Sequence, residues 1–177
     1  MFYETSTNEH GLAHDPYKAL VAPRPIGWIG TLGTDGIPNL GPYSFFNAIS
    51  DHPKIVMFSS DGVKDSARNA EATGEFTANL VSANLKEAMN LSSVPAPPEI
   101  DEFAYSGLTP VKGQLVEAPR VGEAFASLEC KVTDIFIPKT IDGTQCRNTV
   151  VMGQVVGVYI SEDVITNGRV DMKKAVP

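Results

Sequence analysis

Little in this sequence belongs to the chemistries that proteins perform with their own side chains. There are two cysteines, Cys130 and Cys146, and three histidines, His10, His14 and His52. Their spacing is not that of a metal ligand set, so no metal is expected. No run of Lys or Arg interrupts a formal net charge of −7. Phosphate backbones repel such a surface, so nucleic acid is not an expected partner. A membrane is not expected either: the longest nearly apolar run, Val150 to Ile160, contains Gln154 and is too short to span a bilayer. Met1 to His10 holds two Glu and neither Lys nor Arg, unlike a secretory leader. Two thiols in such a chain read as reduced and cytoplasmic rather than as a disulfide. Internal repeats, heptads and low-complexity tracts are also missing.

What is present is a folding chain of one-domain size. It has 177 residues, 42% of them hydrophobic and 20% charged, enough to bury a sizeable core. Residues 1–16 read as a polar arm and 17–177 as a single domain. Thirteen prolines and fifteen glycines are spread along the chain, which suits many short strands joined by turns. Ile26 to Leu32 and Ile37 to Tyr43 read as strands around a Thr34-Asp35-Gly36 turn. Pro38 and Pro42 make the second of them an edge or irregular strand. Further strands are expected over Lys54 to Ser60, Glu75 to Ser82, Ala124 to Ile137 and Asn148 to Ile160. The spacing predicts a helix over Asp65 to Thr73, capped by Asp65 or Ser66 and stopped at Gly74, and a shorter one over Leu85 to Leu91. Ser92 to Glu99 is too rich in proline for regular structure. Lys86, Glu87, Glu99, Asp101 and Glu102 read as solvated charges. The pattern is mainly β: an antiparallel barrel with short peripheral helices.

Two regions could hold a ligand. In Phe58-Ser59-Ser60-Asp61-Gly62-Val63-Lys64-Asp65-Ser66 a strand ends in two hydroxyls, a glycine loop follows, and a helix starts beside a lysine. Helix starts present unpaired N–H groups and the positive end of the dipole, so an anion such as a terminal phosphate is stabilised there. From the spacing alone a plain polar turn with a capped helix is the commoner reading, since N-cap serines are frequent, and Asp65 opposes an anion unless its charge is taken up locally. It is not a P-loop, and Gly27, Gly30 and Gly33 do not have dinucleotide-fingerprint spacing. The second region is a pair of stretches, Arg24 to Thr31 and Asn39 to Ser50, whose glycines and aromatics suit a flat ligand slot. Trp28, Phe45 and Phe46 read equally well as core aromatics.

Several blocks in order carry a family resemblance. They include Pro23-Arg24-Pro25-Ile26-Gly27, Asp35-Gly36-x-Pro38-Asn39-Leu40, Ser44-Phe45-Phe46-Asn47-Ala48, Phe58-Ser59-Ser60, Lys64-Asp65-Ser66-x-x-Asn69, Thr73-Gly74-Glu75-Phe76, Glu87-Ala88-Met89-Asn90, Asp101-Glu102-Phe103 and Leu128-Glu129-Cys130. Over roughly residues 17 to 172 the chain resembles the flavin reductase-like family. The resemblance implies a split β-barrel of Greek-key type that binds FMN and works as a homodimer, with flavin near the subunit interface. It implies that Ser59, Ser60, Lys64 and Ser66 hold the phosphate and that Arg24 adds charge there or beside the ribityl chain. Thr31 and Asn47 would then bond the ribityl or ring edge, while Ser44, Phe45 and Phe46 line the ring. The implied activity is hydride transfer from NAD(P)H to flavin, with a monooxygenase or other electron acceptor as partner. A flavoredoxin-like electron carrier and a non-catalytic FMN-binding domain are the other readings. Relatives commonly continue past the region that ends here at Val170 to Pro177, which leaves the nicotinamide side of the pocket the least defined.

Overall fold

The computed structural model describes residues 1–177. In chain order its elements are α1 (Tyr17–Leu20), β1 (Gly27–Leu32), β2 (Pro38–Tyr43), β3 (Phe46–Asp51), β4 (Lys54–Asp61), α2 (Asp65–Thr73), β5 (Glu75–Asn79), a 3₁₀ turn at Ala83–Leu85 running into α3 (Lys86–Leu91), and α4 (Glu102–Tyr105). Then follow β6 (Pro110–Val111), β7 (Arg120–Val121), β8 (Ala126–Phe136), β9 (Asn148–Ile160), a 3₁₀ turn at Glu162–Val164, β10 (Ile165–Thr166), β11 (Arg169–Val170) and α5 (Met172–Ala175). Residues 1–16 contain no helix or strand.

Seven strands form one antiparallel sheet in the order β2-β1-β5-β8-β9-β4-β3. The two outermost strands, β2 and β3, are consecutive in the chain and only Ser44 and Phe45 separate them. So short a link requires the sheet to curl until its two edges come close, and β2 touches β4 across the gap. Register shifts at Glu129/Cys130 and Val132/Asp134 in β8 and at Ala48/Ser50 in β3 are bulges, which bend strands and add twist. The result is the mainly β split barrel expected from the sequence.

The interior follows the strand period of two. In β4, Val56, Phe58 and Ser60 are buried, while Ile55, Met57 and Ser59 are only half-buried. Ile29, Tyr43, Val56, Phe58, Phe76, Cys130 and Val151 fill the barrel, closed by Ala67 and Ala70 of α2. That helix forms because its small buried residues Ser66, Ala67 and Ala70 share one face. It stops at Gly74, whose φ of +73° is the left-handed cap that glycine adopts without strain. Its N-cap is Lys64, in extended backbone, and not Asp65 or Ser66 as the sequence suggested. Those two side chains have other partners: Asp65 pairs with Arg68, and Ser66 accepts from Asn39. β1 is buried on both faces, and its outward Trp28 anchors a second cluster with Leu40, Leu85, Phe103, Leu108 and Val121. This cluster fixes α3 and α4 against the outside of β1 and β2. Cys130 and Cys146 are both free thiols, Cys130 in the core.

Candidate functional site

Where the chain crosses from β2 to β3, the curled sheet leaves a cleft of about 470 Å³. One wall is Asn39 to Phe45, meaning most of β2 and the two-residue crossing. The second wall is the end of β4 and the start of α2, from Ser59 to Ser66, joined by Asn148 at the start of β9. The third is the proline-rich segment after α3, from Ser92 to Pro98, with Glu102 of α4 beneath it and Lys18 of α1 at the rim.

The charges in the second wall explain its polarity. No side chain caps Lys64, so α2 starts with backbone N–H groups that lack a capping acceptor. Asp65 is neutralised by Arg68 one turn along. Asp61 is neutralised by Arg147, with Nε and Oδ1 at 2.8 Å. Lys64 and Lys18 take part in no ion pair. The wall is therefore locally positive on an acidic protein, and hydroxyls stand beside it. Asn148 donates to the Ser59 hydroxyl at 3.1 Å, so that hydroxyl keeps its own proton for a ligand.

Behind this wall lies a buried polar network. Asn39 uses both amide hydrogens, to Thr31 at 3.0 Å and to Ser66 at 2.9 Å, and Asn69 also donates to Thr31. These bonds tie the first turn of α2 to β1 and β2, so this end of the cleft is braced by a buried polar network. Tyr43 stands at the junction of core and cleft. Burial raises its phenol pKa, and the nearby hydroxyls of Ser66 and Ser60 only partly offset that, so it stays a neutral donor.

The proline-rich wall is equally fixed. Trp28 is fully buried and its indole N–H donates to the Ser92 hydroxyl at 2.8 Å, which in turn donates to the Met89 carbonyl. The segment thus starts from a fully buried aromatic of the second core cluster. Glu102 is not a solvated charge: it is 7% exposed, and Oε2 accepts the Leu40 N–H at 3.1 Å. Burial raises its carboxyl pKa, with the Leu40 bond opposing and Asp65 and Asp101 adding to the rise. Its neighbour Asp101 caps α4 by accepting from Phe103 and Ala104.

Of the residues singled out in the sequence, the structure brings Ser44, Phe45, Ser59, Lys64 and Ser66 to this cleft. Ser60 does not face it. Adjacent residues of a strand point to opposite faces, and Ser60 points into the barrel, fully buried. Thr31 is also fully buried and holds Asn39 and Asn69. Asn47 is exposed on β3, where its side chain accepts from the Ala48 N–H. Arg24 donates to the backbone carbonyls of Lys18 and Val21, holding α1 in place without lining the cleft. Sequence reasoning passed over Asn148, Glu102 and Lys18. For Asn148 no local signal existed, because only the β4–β9 register, Asp61 opposite Asn148, sets it beside Ser59.

No three His, Cys, Asp or Glu side chains converge as a metal site would require. No helix is long and apolar enough to cross a membrane.

Comparison with known proteins gives the family and the fold. The flavin reductase like domain family matches residues 20–175, and the chain belongs to that family. A protein of Aquifex aeolicus is 44% identical over 118 residues, covering 64% of this chain and 60% of its own length. The chain therefore aligns with less than two thirds of that relative. Nitrilotriacetate monooxygenase component B from Bacillus cereus is similar over 99% of this chain and 89% of its own, with a TM-score of 0.86 and 25% identity. Flavoredoxin of Desulfovibrio vulgaris shares the fold, with a TM-score of 0.78 and 24% identity over 88% of this chain and 80% of its own.

Proposed function

We propose that the cleft binds FMN and that the protein is an NAD(P)H-dependent flavin reductase, acting as a cytoplasmic homodimer that supplies reduced flavin to a monooxygenase. One observation carries this reading. An ion-pair-free lysine, an uncapped helix start and the Ser59 hydroxyl converge in a cleft that is also lined by the glycine-containing backbone of β2. The donor set suits a single phosphate, and Gly41, Pro42 and the Ser44-Phe45 crossing suit a flat ring.

Flavin supplies the two-electron chemistry, so no protein nucleophile or metal is needed. This chain's residues bind and orient. Lys64 and the first N–H groups of α2 hold the phosphate, and Ser59 adds a donor whose acceptor side is already filled by Asn148. Backbone from Leu40 to Phe45 lines the ring. The proline-rich segment from Ser92 to Pro98 limits water and shapes the face where nicotinamide approaches. Likeness to a monooxygenase component B supports the partner class.

The homodimer rests on the connection between β8 and β9. Phe136 and Ile137 are exposed at its base and Ile141 is fully exposed at its tip, close in sequence to Asn148 of the cleft. A second copy covering this ribbon would remove that apolar surface from water and flank the cleft.

The test is an anaerobic absorbance spectrum of the FMN-loaded protein before and after NADH and NADPH. Bleaching of the flavin band by either nucleotide, with turnover in air, supports the reductase. The shared fold with a flavoredoxin makes an electron carrier the second reading, and flavin that stays bound but unbleached supports it. Protein that binds no flavin overturns both.

A further inference from the structure

Glu102 is the one acidic side chain of the cleft that nothing neutralises. Asp61 and Asp65 line the same space, but Arg147 and Arg68 pair with them. Glu102 belongs to none of the six ion pairs of the chain. Its one hydrogen bond outside its own helix is from the Leu40 N–H to Oε2, and it is nevertheless buried. The charged groups around it are few. Asp101 precedes it on α4 and is occupied as a cap, Asp65 and Lys64 face the cleft from α2, and Lys18 faces it from α1. β2, which packs against α4, contributes no charge: its one titratable group in the cleft, Tyr43, is kept a neutral phenol by burial. Lys86 and Glu87 of α3 are exposed.

We propose that Glu102 couples cofactor binding to proton uptake: when a phosphate-bearing flavin occupies the cleft, the Glu102 carboxylate takes one proton from solvent and becomes the neutral acid. This rests on the FMN reading of the cleft. The physical reason is charge. The phosphate brings up to two negative charges into a confined space that already holds an unpaired carboxylate, and the two cations of the cleft turn to the phosphate. Solvent screens a residue only 7% exposed less than it would a surface one. Protonation removes the repulsion and leaves Oε2 able to keep accepting from Leu40. It also gives the cleft a new O–H donor.

The test is titration calorimetry of FMN into wild type and Glu102→Gln at pH 7.5, in buffers of different ionisation enthalpy, to count protons. At that pH a free phosphate monoester has already lost its second proton, whose pKa is about 6. Gln keeps an acceptor for the Leu40 N–H, so its thermal melt should show an intact fold. Wild type should take up a substantial fraction of one proton per FMN, and the Gln variant none. Between pH 6.5 and 8.5 the wild-type Kd should rise relative to that of the variant, approaching about tenfold per pH unit. Equal proton counts in the two proteins overturn the proposal while leaving FMN binding intact. If the variant fails to fold, wild type alone decides, and zero uptake overturns it. If wild type binds no FMN, the cleft reading itself fails and takes this proposal with it.

Discussion

Lys64 is the residue on which the phosphate reading turns. It is exposed, it is the N-cap of α2, and it has no carboxylate partner. Lys64→Ala should weaken FMN about ten- to a hundredfold, since a hydrogen bond to a charged group is worth roughly 1.5–3 kcal/mol. Riboflavin, which has no phosphate, should bind the variant as it binds wild type. Fluorescence titration of both ligands checks this, and equal weakening would mean a damaged fold. Glu102 makes a prediction about stability without any ligand. Its folded pKa is raised above the ordinary carboxyl value of about 4.3. Between those two values the folded state holds a proton that the unfolded state has lost, so this group's contribution falls as pH rises through the window. Glu102→Gln removes the titration. The melting temperature of the variant minus that of wild type should therefore increase from pH 4 to pH 7, which calorimetry can follow. Cys130 carries the same logic further: burial, then the Glu129 charge, pushes its thiol up to about 12, so it remains a protonated core residue.

At the scale of elements, short α4 has two tasks. It holds Glu102 under the cleft and seats Phe103 in the core. Four residues cannot sustain a helix alone, so the cap matters more than propensity. Asp101 Oδ1 accepts from the Phe103 N–H at 2.8 Å and the Ala104 N–H at 3.2 Å. Asp101→Ala should cost about 0.5–2 kcal/mol, lowering the melting temperature by roughly 2–4 °C per kcal/mol in a chain of this size. The neighbouring proline-rich wall is defined by ring-locked backbone and by the Trp28–Ser92 anchor. Replacing Pro95 to Pro98 with a Gly/Ser segment should raise KM for NAD(P)H several-fold and leave FMN affinity nearly unchanged. That split separates positioning of the second substrate from loss of the cofactor. Unaltered steady-state kinetics would make this wall scaffolding only.

At the scale of the whole molecule, the exposed ribbon between β8 and β9 is the feature a folded monomer explains least. Replacing both Ile137 and Ile141 with Asp should shift the mass measured by light scattering from two chains to one. FMN affinity should fall with it if the partner copy flanks the cleft. A wild-type monomer that binds FMN tightly would overturn the dimer.

Much of this architecture was legible in the sequence, and the physical reasons are local. Asp65 to Thr73 shows its small-residue face and its terminal Gly74, and the helix has those bounds. Pro38 and Pro42 deny ladder hydrogen bonds, and β2 is accordingly an edge strand. Asn148 to Ile160 is β-branched along its length and is one long strand. The family, too, follows from blocks that keep their order along the chain. What only the tertiary structure decided is which residues of those blocks meet. Ser59 and Ser60 are neighbours in sequence, yet strand alternation sends one to the cleft and the other into the barrel. Glu102 follows its cap residue like any surface charge, and only the packing of α4 on the outer face of β2 buries it. Asn148 stands 89 residues from Ser59 and reaches it through strand register alone. Periodicity, capping and turn chemistry act over a few residues and can be read along the chain. The neutralisation of Asp61 and the burial of Glu102 depend on which distant groups the curled sheet brings within a few ångströms, and that is settled when the sheet closes.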